Sequence, residues 1–72
     1  MNIKEKIGHR IKQLREEYSI TQEALSQYAE IDQSYLSGVE NGKRNISIEN
    51  IEKITNAFDI STKEFFNSPL FK

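Results

Sequence analysis

The chain has 72 residues, of which 36% are hydrophobic and 29% charged, a balance typical of one folded soluble domain. It contains no cysteine, which excludes disulfides and thiolate metal sites. Neither a bilayer-spanning apolar run nor a signal-peptide core is evident. We therefore expect a single cytoplasmic domain over residues 1–72.

The charges are unevenly distributed, although the net charge of −1 does not by itself point to a nucleic-acid partner. Residues 1–20 carry five Lys or Arg and three acids, whereas residues 21–40 carry four acids and no Lys or Arg. Two cations, Lys43 and Arg44, follow directly. An interpretation that involves DNA has to explain the acidic central segment.

Five short helices are predicted in chain order. The first covers about residues 2–17, because apolar residues recur there at spacings of three and four. These residues are Ile3, Ile7, Ile11 and Leu14. The other four helices start after side chains that can accept a bond from a free amide of the first turn. These caps are Thr21, Asp32, Ser47 and Ser61.

Apolar pairs flank all four of these starts, as a hydrophobic staple requires. The pairs are Ile20 with Leu25, Ile31 with Leu36, Ile46 with Ile51, and Ile60 with Phe65. Glu64 adds a predicted capping box to Ser61. Gly42 should stop the third helix, because glycine tolerates a positive φ, and Pro69 should end helical structure at the tail.

Few residues separate the second helix from the third, so the two must cross steeply, as in a helix-turn-helix at about residues 21–41. Two stretches carry a resemblance: residues 21–25, Thr-Gln-Glu-Ala-Leu, and residues 31–44, Ile-Asp-Gln-Ser-Tyr-Leu-Ser-Gly-Val-Glu-Asn-Gly-Lys-Arg. They resemble the phage-repressor-like helix-turn-helix family, which includes lambda repressor, Cro-like proteins and Xre-type regulators. The match continues to Phe66 and is most similar to controller proteins of restriction–modification systems.

This resemblance implies an all-α, five-helix domain that regulates transcription by binding operator DNA. One position departs from the family. Glu30 lies in the turn, where the family usually has Gly or Asn. If the position requires a positive φ, Glu30 costs about 1 kcal/mol.

Two glutamines are the first predicted DNA contacts. Gln22 and Gln33 each occupy the first position of a helix, where free amides and the helix dipole favour phosphate. The Gln33 amide can also pair with adenine in the major groove. The resemblance implies that Gln33 reads a base while Gln22 holds it and touches phosphate. The alternative is that both are merely solvated.

The outward face of the third helix and the following loop supply the other predicted contacts. They are Ser34, Tyr35, Ser37, Lys43, Arg44 and Asn45. Tyr35 either touches the DNA or covers the turn as a half-buried aromatic ring. The loop can bind phosphates, and the resemblance implies that Arg44 also reaches bases. A solvated turn is the alternative for Lys43 and Arg44. Leu36 and Val39 are predicted to face the core.

The acidic segment has a partial explanation. Asp32 is a cap, and the resemblance implies that Glu40 pairs with Arg10 of the first helix. Paired and capping acids repel DNA little, so only Glu23 and Glu30 remain uncompensated. We therefore expect weak non-specific binding, with affinity that depends on placed groove contacts.

Apolar residues near the C-terminus remain to be explained. Phe66, Leu70 and Phe71 suggest a homodimer through the fourth and fifth helices, since one recognition helix reads few base pairs. The alternative is that this tail, at about residues 61–72, folds back onto the core.

No enzyme or cofactor is expected. His9 is the only histidine, and no catalytic or phosphate-binding motif is present. Two other functions remain open on the same fold: a protein–protein module whose acidic face meets a basic partner, and an antitoxin. The glutamine pair and Lys43-Arg44 oppose the first, and a long toxin-wrapping segment would favour the second.

Overall fold

A computed structural model describes all 72 residues as five α-helices and a closing 3-10 turn, without strands. The helices are α1 (Ile3–Glu17), α2 (Gln22–Ala29), α3 (Gln33–Glu40), α4 (Ile48–Phe58) and α5 (Thr62–Phe66), and the 3-10 turn is Pro69–Phe71. The predicted all-α class and the five helices are confirmed. No helix is both long and apolar enough to cross a membrane.

The side chains predicted to cap α2 to α5 all do so. Each accepts a hydrogen bond from the amide three residues later: Thr21, Asp32, Ser47 and Ser61. The predicted capping box at Ser61 is only half formed, because Ser61 accepts from the Glu64 amide without a return bond. A complete box instead starts α1, where Asn2 and Glu5 exchange two bonds of 2.9 Å.

Residues in the left-handed backbone conformation cap the C-termini of two helices and follow a third. Glu30 has φ 57° and closes α2, and Asp59 has φ 58° and closes α4. Gly42, with φ 74°, follows α3. Glycine adopts this conformation without steric cost, whereas Glu30 costs about 1 kcal/mol. The turn between α2 and α3 therefore does require a positive φ at this position, and an unfavourable residue adopts it.

One hydrophobic core joins the helices. Its buried residues are Ile7, Ile11, Leu14, Leu25, Ala29, Leu36, Val39, Ile51, Ile54, Phe58 and Phe65. The core positions predicted for α3 are therefore confirmed. Ile3 shares the apolar spacing of α1, but it is the first residue of that helix and is 58% exposed.

The tail beyond α5 folds back. Pro69 begins the 3-10 turn rather than ending helical structure, so that prediction was wrong. The Phe71 ring lies 6.3 Å from Phe65 and 5.0 Å from Phe66, measured between centroids. Phe71 therefore packs on the core, as the alternative for the tail described. Phe66 remains 38% exposed.

An ion pair joins α1 to α3, but its arginine is not the predicted Arg10. Arg15 donates from Nε and Nη2 to the two carboxylate oxygens of Glu40, at 2.7 and 2.8 Å. These hydrogen bonds and the carboxylate charge raise the pKa of Arg15, although burial acts in the opposite direction. The guanidinium therefore stays charged, and the nearly buried Glu40 is fully paired.

Arg10 joins α1 to a different neighbour. Its Nε donates to the Phe65 carbonyl at 2.7 Å and its Nη2 to the Glu64 carbonyl at 3.0 Å. Residues 10 and 15 lie about 140° apart around a helix, so they cannot face the same partner. Arg10 thus satisfies carbonyls at the end of α5, whereas Arg15 reaches α3.

Gly8 sets how closely α1 approaches α3. A Cβ at Gly8 would collide with the Val39 carbonyl oxygen and would lie 2.8 Å from that of Glu40. Only glycine fits without moving one of the two helices. The close crossing holds α3 on the side that faces α1 and leaves the opposite side of α3 free.

Candidate nucleic-acid interface

The outward side of α3 presents polar side chains that have no partner in the chain. Gln33 and Ser34 are exposed and Ser37 is half-buried. Asp32 satisfies the amide of Tyr35 at 3.0 Å. The amides of Gln33 and Ser34 have no intrahelical partner, as expected at a helix start. This end of α3 therefore offers both side-chain and backbone donors.

Gln22 occupies the corresponding place on α2. It is the first residue of that helix, behind the Thr21 cap, and is half-buried. The two predicted glutamines thus begin the two helices of the helix-turn-helix. Their shared position follows from the two caps, which fix where each helix starts.

The loop after α3 folds back onto that helix. The amides of Lys43 and Arg44 donate to the Gly38 carbonyl at 2.9 and 3.2 Å. The side chains of Lys43, Arg44 and Asn45 are all exposed. Two cations and one amide therefore stand next to α3 on a backbone that the helix holds in place.

Tyr35 belongs to α3 and connects that helix to this loop and to α4. Its hydroxyl donates to the Asn45 carbonyl at 3.0 Å and accepts from Nδ2 of Asn50 at 3.3 Å. The guanidinium carbon of Arg44 lies 5.3 Å from the centre of its ring. Tyr35 is half-buried and packs against the core, which agrees with the interpretation that it covers the turn.

Two residues of this region were not predicted. Asn50 donates to the Tyr35 hydroxyl, and nothing in the sequence indicated that contact. Gly38 accepts the two loop amides, and a Cβ there would collide with Cγ of Arg44. A glycine inside a helix lowers helix propensity, so its presence in α3 was the available signal for a close contact.

The acids of the central segment are partly neutralised, as expected. Asp32 caps α3 and Glu40 is held by Arg15, while Glu23 and Glu30 are exposed and in no ion pair. No group of His, Cys, Asp or Glu is arranged to hold a metal ion. The polar groups next to α3 are therefore suited to hydrogen bonding more than to broad charge attraction.

Comparison with known proteins agrees with this arrangement. The family model described as helix-turn-helix matches residues 11–65. The chain belongs to the helix-turn-helix family. Within this family, it is similar to control protein C.MunI from Mycoplasma sp., with 39% identity over 67 residues that cover 92% of this chain and 90% of that protein.

Solved structures of this family also match at high similarity. The restriction-modification controller protein C.AhdI from Aeromonas hydrophila has a TM-score of 0.83 and 41% identity, covering 88% of this chain and 96% of that one. C.Esp1396I, bound to a 25 base pair operator site, has a TM-score of 0.84 and 33% identity, covering 92% and 87%. These relatives are named as control or controller proteins and not as enzymes.

Proposed function

We propose that this protein is a transcriptional regulator that binds operator DNA with α3 in the major groove. The observation that carries the proposal is the exposed, unpartnered start of α3 at Gln33 and Ser34, next to the cationic loop at residues 43–45. A structural relative of the same fold is bound to an operator site, which supports it. The other helix of the motif, α2, crosses the DNA backbone and supports α3 in the groove.

Each outward side chain then has a role. Gln33 and Ser34 meet base edges, and Ser37 lies one turn further along the same helix. Gln22, Lys43 and Asn45 hold phosphates, which fix the register of α3 without reading sequence. Arg44 is the one cation that also reaches a base. Tyr35 contributes at the edge of this surface, beneath Arg44.

The proposed regulator acts as a homodimer. Phe66 is exposed, its ring lies 5.0 Å from that of Phe71, and the half-buried Leu70 lies in the same tail. This apolar surface on α5 and the tail lies outside the helix-turn-helix. A two-fold pair would present two copies of α3 to successive turns of the major groove, which raises affinity beyond that of one helix.

The genes controlled are those of a restriction–modification system. The support is similarity to controller proteins over nearly the whole length of both chains. The protein would then act in the cytoplasm, where its DNA is, and be regulated through its own concentration. A restriction endonuclease gene and a methyltransferase gene beside its own are expected, and prophage genes in their place would contradict this assignment.

Selection from random DNA duplexes tests operator binding. The full chain should enrich a two-fold symmetric site, because two recognition helices related by symmetry read the same half-site. Gln33→Ala should lower affinity for the selected site by about 5- to 150-fold and relax the preference at one base pair. Gln13→Ala, an exposed glutamine on α1, is the matched control. Unchanged affinity and base preference for Gln33→Ala would show that Gln33 is not part of the DNA interface.

Sedimentation tests the dimer. The chain should sediment as a dimer at micromolar concentration, and Phe66→Ser should shift it toward monomer because exposed apolar area is lost. Tyr28→Ser is a matched control, since Tyr28 is 68% exposed on α2. A chain that remains monomeric at and above micromolar concentration would contradict the dimer.

A further inference from the structure

The base of the Arg44 side chain lies against α3 at Gly38. The Gly38 carbonyl accepts the amides of Lys43 and Arg44, at 2.9 and 3.2 Å. Cγ of Arg44 fills the space that a Cβ at Gly38 would need, and Cβ and Cδ of Arg44 would each lie 3.5 Å from that atom. The missing side chain at Gly38 therefore makes room for the aliphatic part of Arg44.

The other end of Arg44 lies over Tyr35. The guanidinium carbon is 5.3 Å from the ring centre, within the range of a cation–π contact. The Tyr35 ring is itself fixed, because its hydroxyl donates to the Asn45 carbonyl and accepts from Asn50. A solvated loop arginine would require neither the space at Gly38 nor a clamped aromatic ring.

We infer that Gly38 and Tyr35 form a support that holds Arg44 in one orientation before DNA is bound. Tyr35 is thus a positioning residue that acts on DNA through Arg44. The partner is a guanine, whose O6 and N7 accept two parallel bonds from a guanidinium in the major groove. This inference rests on the proposed function.

Preorganisation explains why such a support is useful. An exposed arginine loses rotamer freedom when it binds a base, and that loss reduces affinity. Because Gly38 and Tyr35 restrict the Arg44 side chain in the folded protein, most of this rotamer freedom is already lost on folding, before DNA binds. Glycine within a helix lowers the stability of that helix relative to alanine. Gly38 therefore destabilises α3 slightly, but its missing side chain leaves space for Arg44.

A double-mutant cycle on the selected duplex tests whether Tyr35 acts through Arg44. Arg44→Ala should weaken binding about 5- to 150-fold and relax preference at a G·C pair, and Tyr35→Ala should reproduce part of both losses. In the Arg44→Ala background, Tyr35→Ala should have less than about twofold further effect. Tyr35→Phe keeps the ring and should retain most of the preference.

Gly38→Ala separates positioning from stability. It should preserve or raise the melting temperature, because alanine favours the helix. It should nevertheless weaken operator binding severalfold and relax the same G·C preference, and neither effect should appear in the Arg44→Ala background. Equal binding by Gly38→Ala and the wild type would overturn the inference, as would additive effects of Tyr35→Ala and Arg44→Ala.

NMR of the free protein tests the support without DNA. The Tyr35 ring current should shift the Arg44 side-chain protons upfield, and Tyr35→Ala and Gly38→Ala should each abolish that shift. Random-coil shifts of Arg44 in the wild type would overturn the support, whatever the protein binds. A wild type that selects no DNA site would refute both the proposed function and the role of Arg44. A wild type that selects a site while the two substitutions act additively would refute only the inference.

Discussion

The two sides of α3 are held in opposite ways. On the inner side, Leu36 and Val39 are buried in the core and Glu40 is paired with Arg15. On the outer side, Gln33 and Ser34 have exposed side chains without partners. The inner contacts fix where the helix lies, and the outer groups keep their hydrogen-bonding capacity for another molecule. The eight residues of α3 therefore combine a rigidly held inner side with outer polar groups that are free to bind another molecule.

The loop after α3 is intermediate between these two sides. Its backbone is bound to Gly38, whereas Lys43 and Asn45 expose their side chains. Substitutions on the inner side should therefore change stability first. Substitutions on the outer side and in the loop should change binding with little effect on folding.

The inner side should respond most strongly to Glu40→Ala. This change leaves the largely buried Arg15 guanidinium without its carboxylate, so unfolding free energy should fall by about 3 kcal/mol. Urea unfolding measures it, with Glu52→Ala on the exposed side of α4 as the control. A loss below about 1 kcal/mol, as for a surface pair, would show that this ion pair does not help to hold the inner side of α3.

Gly8→Ala tests the crossing of α1 over α3. The added Cβ would collide with carbonyl oxygens at Val39 and Glu40, and this overpacking should destabilise the chain by about 2 kcal/mol despite the gain in helix propensity. Thermal unfolding should separate it from Gly38→Ala, where the neighbour is a flexible side chain. Equal stability of the two variants would mean that the crossing is not tight.

Lys43→Ala examines the loop. Loss of one phosphate contact should weaken binding about fivefold across sequences, which is about 1 kcal/mol, and should make the salt dependence shallower by about one unit of slope. Lys53→Ala on α4 is the control. Because the chain is acidic overall, we expect the wild-type slope itself to be modest. A steep slope, near that of a strongly basic protein, would contradict this description of the interface.

Glu30→Gly should have the smallest effect. Glycine accepts the φ of 57° without strain, so the variant should be more stable by up to about 1 kcal/mol. Base preference should not change, since the contacts on the inner side of α3 still hold that helix in position. Thermal unfolding and the duplex panel measure both quantities, and a loss of stability would show that Glu30 makes a favourable contact in the turn.

The sequence was sufficient for features that depend on near neighbours. A cap and its target amide are three residues apart, so Thr21, Asp32, Ser47 and Ser61 could be assigned from local pattern. The same pattern was present at Asn2 and Glu5, where the capping box was overlooked. Glu30 was correctly marked as the position where the turn is costly.

Features that depend on how helices cross were harder to predict. Arg10 and Arg15 both lie on α1, and the choice of partner for Glu40 depends on the crossing at Gly8. Ile3 fits the apolar stripe, yet α1 begins there and that side chain remains exposed. The hydrogen bond between Tyr35 and Asn50 joins α3 directly to α4 across 15 positions of the sequence, and no local spacing encodes it.

Titration of the isotope-labelled protein with its selected duplex, followed by amide NMR shifts, tests the central claim most directly. We expect the largest changes at residues 33–37 and 43–45, smaller changes at Gln22, and none at Gln13 on α1. Shifts concentrated on α5 or on the acidic surface at Glu23 and Glu30, with the start of α3 unaffected, would contradict it.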